Sequence, residues 1–327
     1  EKTVTAKDFR EKLIFLKREL RVPGDSAAAQ RAAAPAEYII RALLGFLLSR
    51  ATMFSSVAPF GVALTAAAPT GAMSAATLLG ALFGSMFLPG SAISLKYMAM
   101  SVLVCAAIHL CRGAGFAEKV WLRPLCAAVV SASLGFIYAI DAGWTPAATA
   151  QYAADIVLSA GATYFYRIAM SPWDGTDSQA ETRHAISVVL LLATALAAVA
   201  DITIFHMISL GRVLCVLIVL LSAFRGGVAY GCAAAGAAGL LMDATCSAVP
   251  YYTLLYVLCA LVSGAFSKQG RIMFLAAYIL TDAVGVVLLW NINGSPAALY
   301  EVFIASVAFA VLPSRLMARM TALIPAN

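Results

Sequence analysis

From residue 36 to residue 312 the chain is almost continuously apolar, broken only by short polar connections. A soluble fold cannot absorb such a run, because water-facing surface needs polar side chains at regular intervals. The composition leaves no alternative supply of them. Hydrophobic residues make up 62% and charged residues 12% of the sequence, against roughly 45–50% and 25% in globular domains. Mean hydropathy is +0.90. The solvent for most of this chain is lipid, and disordered, collagen-like and disulfide-scaffold classes are excluded.

A membrane-crossing helix needs about 20 apolar residues. Punctuation by charges, Pro and Gly predicts an all-α, polytopic transmembrane helical bundle with spans at 72–88, 96–111, 120–140, 149–169, 184–200, 202–223, 226–244, 249–266, 271–290 and 297–312. Two further stretches, 36–49 and 51–68, precede these and are broken by Arg50 and Pro59-Phe60-Gly61. They read as two additional helices or as one re-entrant hairpin, so the count is about ten spans or possibly twelve.

Residues 1–35 read as a cytoplasmic basic arm. Ten of the 22 Lys and Arg residues fall in the first 50. Phe9, Leu13, Leu16 and Leu20 recur at helical spacing among Lys12, Lys17, Arg18 and Arg21. That pattern predicts an amphipathic helix suited to an anionic membrane surface rather than to nucleic acid. Pro23-Gly24-Asp25-Ser26 ends it, and an Ala-rich tether is expected up to Pro35. A start at Glu1 rather than Met implies residues upstream, and no secretory signal with a small-residue cleavage site is legible.

The distribution of positive charge orients the bundle. With the N-terminus inside, the predicted cytoplasmic connections and tail carry Arg112, Lys119, Arg123, Arg167, Arg183, Arg225, Lys268, Arg271, Arg315 and Arg319. The predicted outer connections carry none, and Lys96 is the one basic residue near an outer end. Both termini are therefore expected in the cytoplasm, with 36–312 as the membrane domain and 313–327 as a cytoplasmic exit. Gly80-xxx-Gly84 and Gly227-xxx-Gly231 offer close helix approach, within the bundle or as a dimer seam.

Motif chemistry is sparse. The sequence holds no Gly-rich phosphate loop, no HExxH, no nucleophile elbow and no CxxC pair, and its seven cysteines read as small buried hydrophobes. No catalytic, cofactor-binding or metal-ligating residues are predicted. Desolvation makes intramembrane ionisable groups the better lead. Asp155, Asp201, His206, Arg212, Asp243, Asp282 and Glu301 lie in or beside spans. Asp201 and Arg212, eleven apart in one predicted segment, would share a helix face. Several of these groups can reach headgroups, caps or neighbouring helices. Arg212 and Asp282 are the hardest to explain as interfacial anchors, and with Asp201 they are the residues an ion or solute path would use.

Three stretches carry a resemblance. The first is Gly45-Phe-Leu-Leu-Ser-Arg-Ala51 followed by Val57-Ala-Pro-Phe-Gly-Val-Ala63. The second runs from Leu221-Ser-Ala-Phe-Arg-Gly-Gly to Gly239-Leu240, and the third is Leu299-Tyr300-Glu301 leading to Leu312-Pro313-Ser314 and Ile324-Pro325-Ala326-Asn327. In order and spacing the set resembles the N-terminal membrane region of stage II sporulation protein E, although that family usually has Gly-Thr where this chain has Ala326-Asn327. The resemblance implies about ten helices followed, beyond Asn327, by a regulatory region and a manganese- or magnesium-dependent serine phosphatase. It implies dephosphorylation of an anti-sigma-factor antagonist at the asymmetric septum, association with the division protein FtsZ, self-association, and activation of the forespore sigma factor. None of that chemistry would reside in these 327 residues, so the membrane region is expected to anchor and localise. A small-solute or ion transporter is the alternative, and a lipid-directed enzyme a third reading.

Overall fold

The computed structural model describes residues 27–53, 56–111, 119–171, 178–200, 202–204, 208–246, 250–293, 296–313 and 317. The basic arm, with Lys12, Lys17, Arg18 and Arg21, lies outside the described residues, as do Asp201 and His206. The described chain is predominantly helical and divides into two compact units, built on Ala32–Asp201 and on Ile202–Asn327.

The first unit contains α1 (Ala27–Ser49), α2 (Phe60–Ala67), α3 (Ala72–Ser85), α4 (Ser91–Leu110), α5 (Leu122–Asp141), α6 (Pro146–Met170) and α7 (Ser178–Ala200). The expected Ala-rich tether is instead the start of α1. A run of alanines, the strongest helix former, extends the helix through Pro35. The stretch 51–68 is also not a continuous helix. Met53 pairs with Val57 in an isolated bridge, and only the eight residues of α2 are helical. Eight residues rise about 12 Å, well short of the roughly 30 Å hydrocarbon core.

Yet all eight residues of α2 are buried, and α3, α4, α5 and α6 all pack against them. The direction of the chain follows from glycine contacts. Gly80 meets Ala42, while Gly84 meets Phe46 and Ser49, so α1 and α3 run the same way. The irregular stretch and α2 therefore carry the chain back from the end of α1 to the start of α3. Irregular backbone of this kind is tolerated at membrane depth only where protein surrounds it.

The second unit opens with a two-stranded antiparallel hairpin, β1 (Thr203–Ile204) and β2 (Ile208–Ser209). The helix expected from residue 202 begins only at Leu210. β-Branched Ile202, Thr203, Ile204 and Ile208 favour the extended form. The unit continues with α8 (Leu210–Cys246), α9 (Tyr251–Ala265), α10 (Arg271–Leu288), the single turn α11 (Trp290–Asn293) and α12 (Ala297–Val311). α8 is two helices joined at Gly227, whose φ of 67° and ψ of −158° are non-helical. The chain turns there so sharply that Gly231 packs directly on Ala223. The second Gly pair is thus a bend and an intramolecular contact.

That backbone conformation is essentially restricted to glycine, so Gly227→Ala should destabilise by about 1–3 kcal/mol. Gly161→Ala, where an added methyl meets nothing within 4 Å, should be neutral or slightly stabilising. Unfolding midpoints in mixed micelles would compare the two.

Both units bury polar and small side chains among aromatic ones and leave many large aliphatic ones exposed. On α6 the buried residues are Asp155, Ser159, Thr163 and Tyr166. α10 buries Phe274, Tyr278, Asp282 and Gly285 while exposing Ile272, Leu280, Val284 and Val287. This polarity is the reverse of a water-soluble helix and fits lipid-facing packing. Among the described residues, four helices are long and apolar enough to cross a membrane: Ser91–Leu110, Leu122–Asp141, Leu210–Thr245 and Arg271–Leu288. α3, α9, α12 and Ile186–Ala200 are shorter apolar helices.

Candidate functional site: buried polar networks in each unit

In the first unit the network centres on Asp155. Its carboxylate accepts a hydrogen bond from Tyr97 Oη at 2.7 Å and forms an ion pair with Lys96 Nζ. Tyr97 also reaches the Ser56 carbonyl at 3.3 Å, which ties the pair to the irregular backbone ahead of α2. At the other end of α2, Arg123 donates to the carbonyls of Ala67 (2.9 Å) and Ala68. A cation at orphan C-terminal carbonyls satisfies them and offsets the helix dipole. The buried half-helix is therefore held at one end by a carboxylate network and at the other by a guanidinium. The sequence pattern placed Lys96 at the outer end of the span 96–111 and assigned Tyr97 nothing. In the structure Lys96 lies only 14% exposed against Asp155, 59 residues away.

In the second unit Arg212, near the start of α8, lies beside Glu301 on α12, with Nε 2.8 Å from Oε1. Arg212 also donates to Tyr252 Oη, and its guanidinium stands 5.2 Å from the centre of that ring. The same Glu301 oxygen accepts from the Ser209 amide at 2.9 Å. Glu301 thereby fixes both β2 and the first turn of α8. Asp243 is a helix cap: its carboxylate takes the amides of Tyr252 (2.8 Å) and Thr253 (2.9 Å) and the Thr253 hydroxyl (2.6 Å) at the N-terminus of α9. β1 and β2 precede Arg212 where a continuous helix was expected, and Asp201 lies outside the described residues.

Asp282 stands apart from this pattern. It is 1% exposed, at the middle of α10. Cys259 Sγ is 4.0 Å from Oδ1, the outer limit for a thiol donor, and Oδ2 has no hydrogen-bond partner among the described residues. Of the three residues singled out from sequence, the structure gives Arg212 a counter-ion and Asp282 none, and Asp201 lies outside the described residues. Glu301, the partner that matters most to Arg212, carried no distinguishing signal beyond being a carboxylate in an apolar helix. Among the described residues, no three His, Cys, Asp or Glu side chains converge as metal ligands.

Taken together, these features define a helical membrane domain with two buried ion pairs and further buried charges held by backbone groups. The family model for the N-terminal domain of SpoIIE matches residues 13–321, and the chain belongs to that family. No curated protein and no solved structure matches it.

Proposed function

We propose that this domain is the membrane anchor and localisation platform of a sporulation serine phosphatase. The observation that carries the reading is the family match over residues 13–321, joined to ionisable groups that mostly serve packing, as caps, ion pairs and helix-end contacts. In this reading the enzyme is supplied by regions outside these 327 residues. Those regions would hold the manganese or magnesium, dephosphorylate an anti-sigma-factor antagonist and meet FtsZ. The platform would keep them at the polar division septum, so that the forespore sigma factor is activated there.

The segment count follows the same proposal. α1 and the broken return through α2 add two crossings to the ten spans read from sequence, and an even number returns both ends to the cytoplasm. The basic connections favour that side. The arm would lie on the anionic inner leaflet and contribute about 1 kcal/mol per basic residue near the surface. Replacing Lys12, Lys17, Arg18 and Arg21 with Gln should weaken binding of residues 1–22 to phosphatidylserine vesicles severalfold at low salt. Unchanged binding would leave the arm as a topology signal only.

The functional test is to fuse residues 1–327 to a fluorescent protein in a sporulating cell lacking the native protein. Enrichment at the polar septum is expected. Uniform labelling of the whole membrane would remove localisation from the account, leaving anchoring alone.

A further inference from the structure

Three carboxylates are buried in the second unit, Asp243, Glu301 and Asp282, at 6%, 1% and 1% exposure. Asp243 is satisfied by three donors, and Glu301 is held through Oε1 by Arg212 and an amide, its Oε2 having no hydrogen-bond partner among the described residues. Arg212, committed to Glu301 and Tyr252, is not available to neutralise Asp282. An isolated carboxylate in a medium of low dielectric is too costly to persist as a bare charge.

The neighbouring polar groups are hydroxyls and a thiol, which donate or accept, with no cationic side chain among them. Tyr278 lies one turn away on α10, and Tyr256, Cys259 and Ser263 share a face of α9. The 4.0 Å approach of Cys259 to Oδ1 brings that face against Asp282. The hydroxyls of Tyr256, Tyr278 and Ser263 are each at least 99% buried and have no hydrogen-bond partner among the described residues. α12, which carries Glu301, packs against α10. Unpartnered hydroxyl oxygens around an uncompensated carboxylate suit a small hard cation, and one carboxylate suits a single charge.

We propose that Asp282 is an exchangeable site for one monovalent cation, a proton or an alkali ion, enclosed by α9, α10 and α12. The site goes beyond the anchoring role and does not depend on it. A platform that takes up one cation in its core would respond to the ionic state of the membrane.

The test treats the whole chain, in lipid nanodiscs, with dicyclohexylcarbodiimide, which modifies neutral carboxyl groups in apolar surroundings, and locates the adduct by mass spectrometry. An adduct on Asp282 that increases as pH falls is expected. Sodium replacing choline at tenfold above its dissociation constant should cut labelling about tenfold if the occupant exchanges with alkali ions. Equal labelling in sodium and choline identifies the proton. Absence of an Asp282 adduct at every pH in choline overturns the site. In parallel, the wild-type Tm should depend on pH or on sodium, and Asp282→Asn should abolish that dependence. A folded Asp282→Asn protein that keeps the wild-type dependence also overturns it, and if that variant does not fold, the labelling result decides.

Discussion

Arg212→Ala should cost about 3–5 kcal/mol of folding stability, because it strands the Glu301 carboxylate at 1% exposure without its cation. The loss reaches beyond one pair. Glu301 also holds the Ser209 amide at the entry to α8, so the β hairpin and the first turn of that helix should loosen with it. Removing both charges is a different matter. Arg212→Met combined with Glu301→Leu replaces an ion pair by apolar volume and should recover most of the stability, since the desolvation of two charges is no longer imposed. Tyr252→Phe, which removes one hydroxyl acceptor from Arg212, should cost about 1 kcal/mol. Folded fraction across a denaturant series in mixed micelles, with a double-mutant cycle, separates the pair from its neighbours. A single Arg212→Ala within 0.5 kcal/mol or so of wild type would show the pair to be marginal, as exposed pairs are.

The second large effect concerns the α1–α3 crossing. A methyl at Gly80 would fall 2.0 Å from the Ala42 carbonyl oxygen, and one at Gly45 would fall 2.5 Å from that of Thr77. Both obstacles are backbone, so neither can rotate away. Gly80→Ala should cost at least the 1–3 kcal/mol of overpacking, and Gly80→Leu should abolish accumulation of folded protein. The comparison is Gly236→Ala, where the nearest neighbour is Val257 Cγ2 at 4.0 Å. There the methyl gains helix propensity without a clash. Equal stability of Gly80→Ala and Gly236→Ala would mean the two helices do not meet at this seam.

Helical segments were legible in sequence wherever an apolar run was bounded by a charge or a turn. Predicted spans 249–266, 271–290 and 297–312 lie within two residues of α9, α10 and α12 at each end. The division of α8 was legible as well, since Arg225-Gly226-Gly227 interrupts its apolar run and the bend falls at Gly227. Hydropathy sees neither β-branched hairpins nor irregular backbone buried by neighbours, so 202–209 looked like helix and 51–59 stayed open between helix and re-entrant hairpin. The Ala-rich tether was misread because helix propensity was not weighed there. Partners were less legible still. Lys96 with Asp155 and Arg212 with Glu301 are joined across 59 and 89 residues by tertiary packing, which apolar sequence of one period leaves unspecified. Asp282 was visible as an ionisable residue inside a predicted span, while its missing partner became visible only with the helices assembled around it.

In the proposed anchoring role the bundle returns both of its ends to the cytoplasmic face, where a phosphatase would act. The most direct measurement is labelling of single-cysteine reporters in intact cells with a membrane-impermeant maleimide. Reporters at 91, 144 and 293 should label from outside, and reporters at residue 5, in 172–177 and at residue 320 only after the membrane is permeabilised. External labelling of either terminal reporter in intact cells would contradict the account.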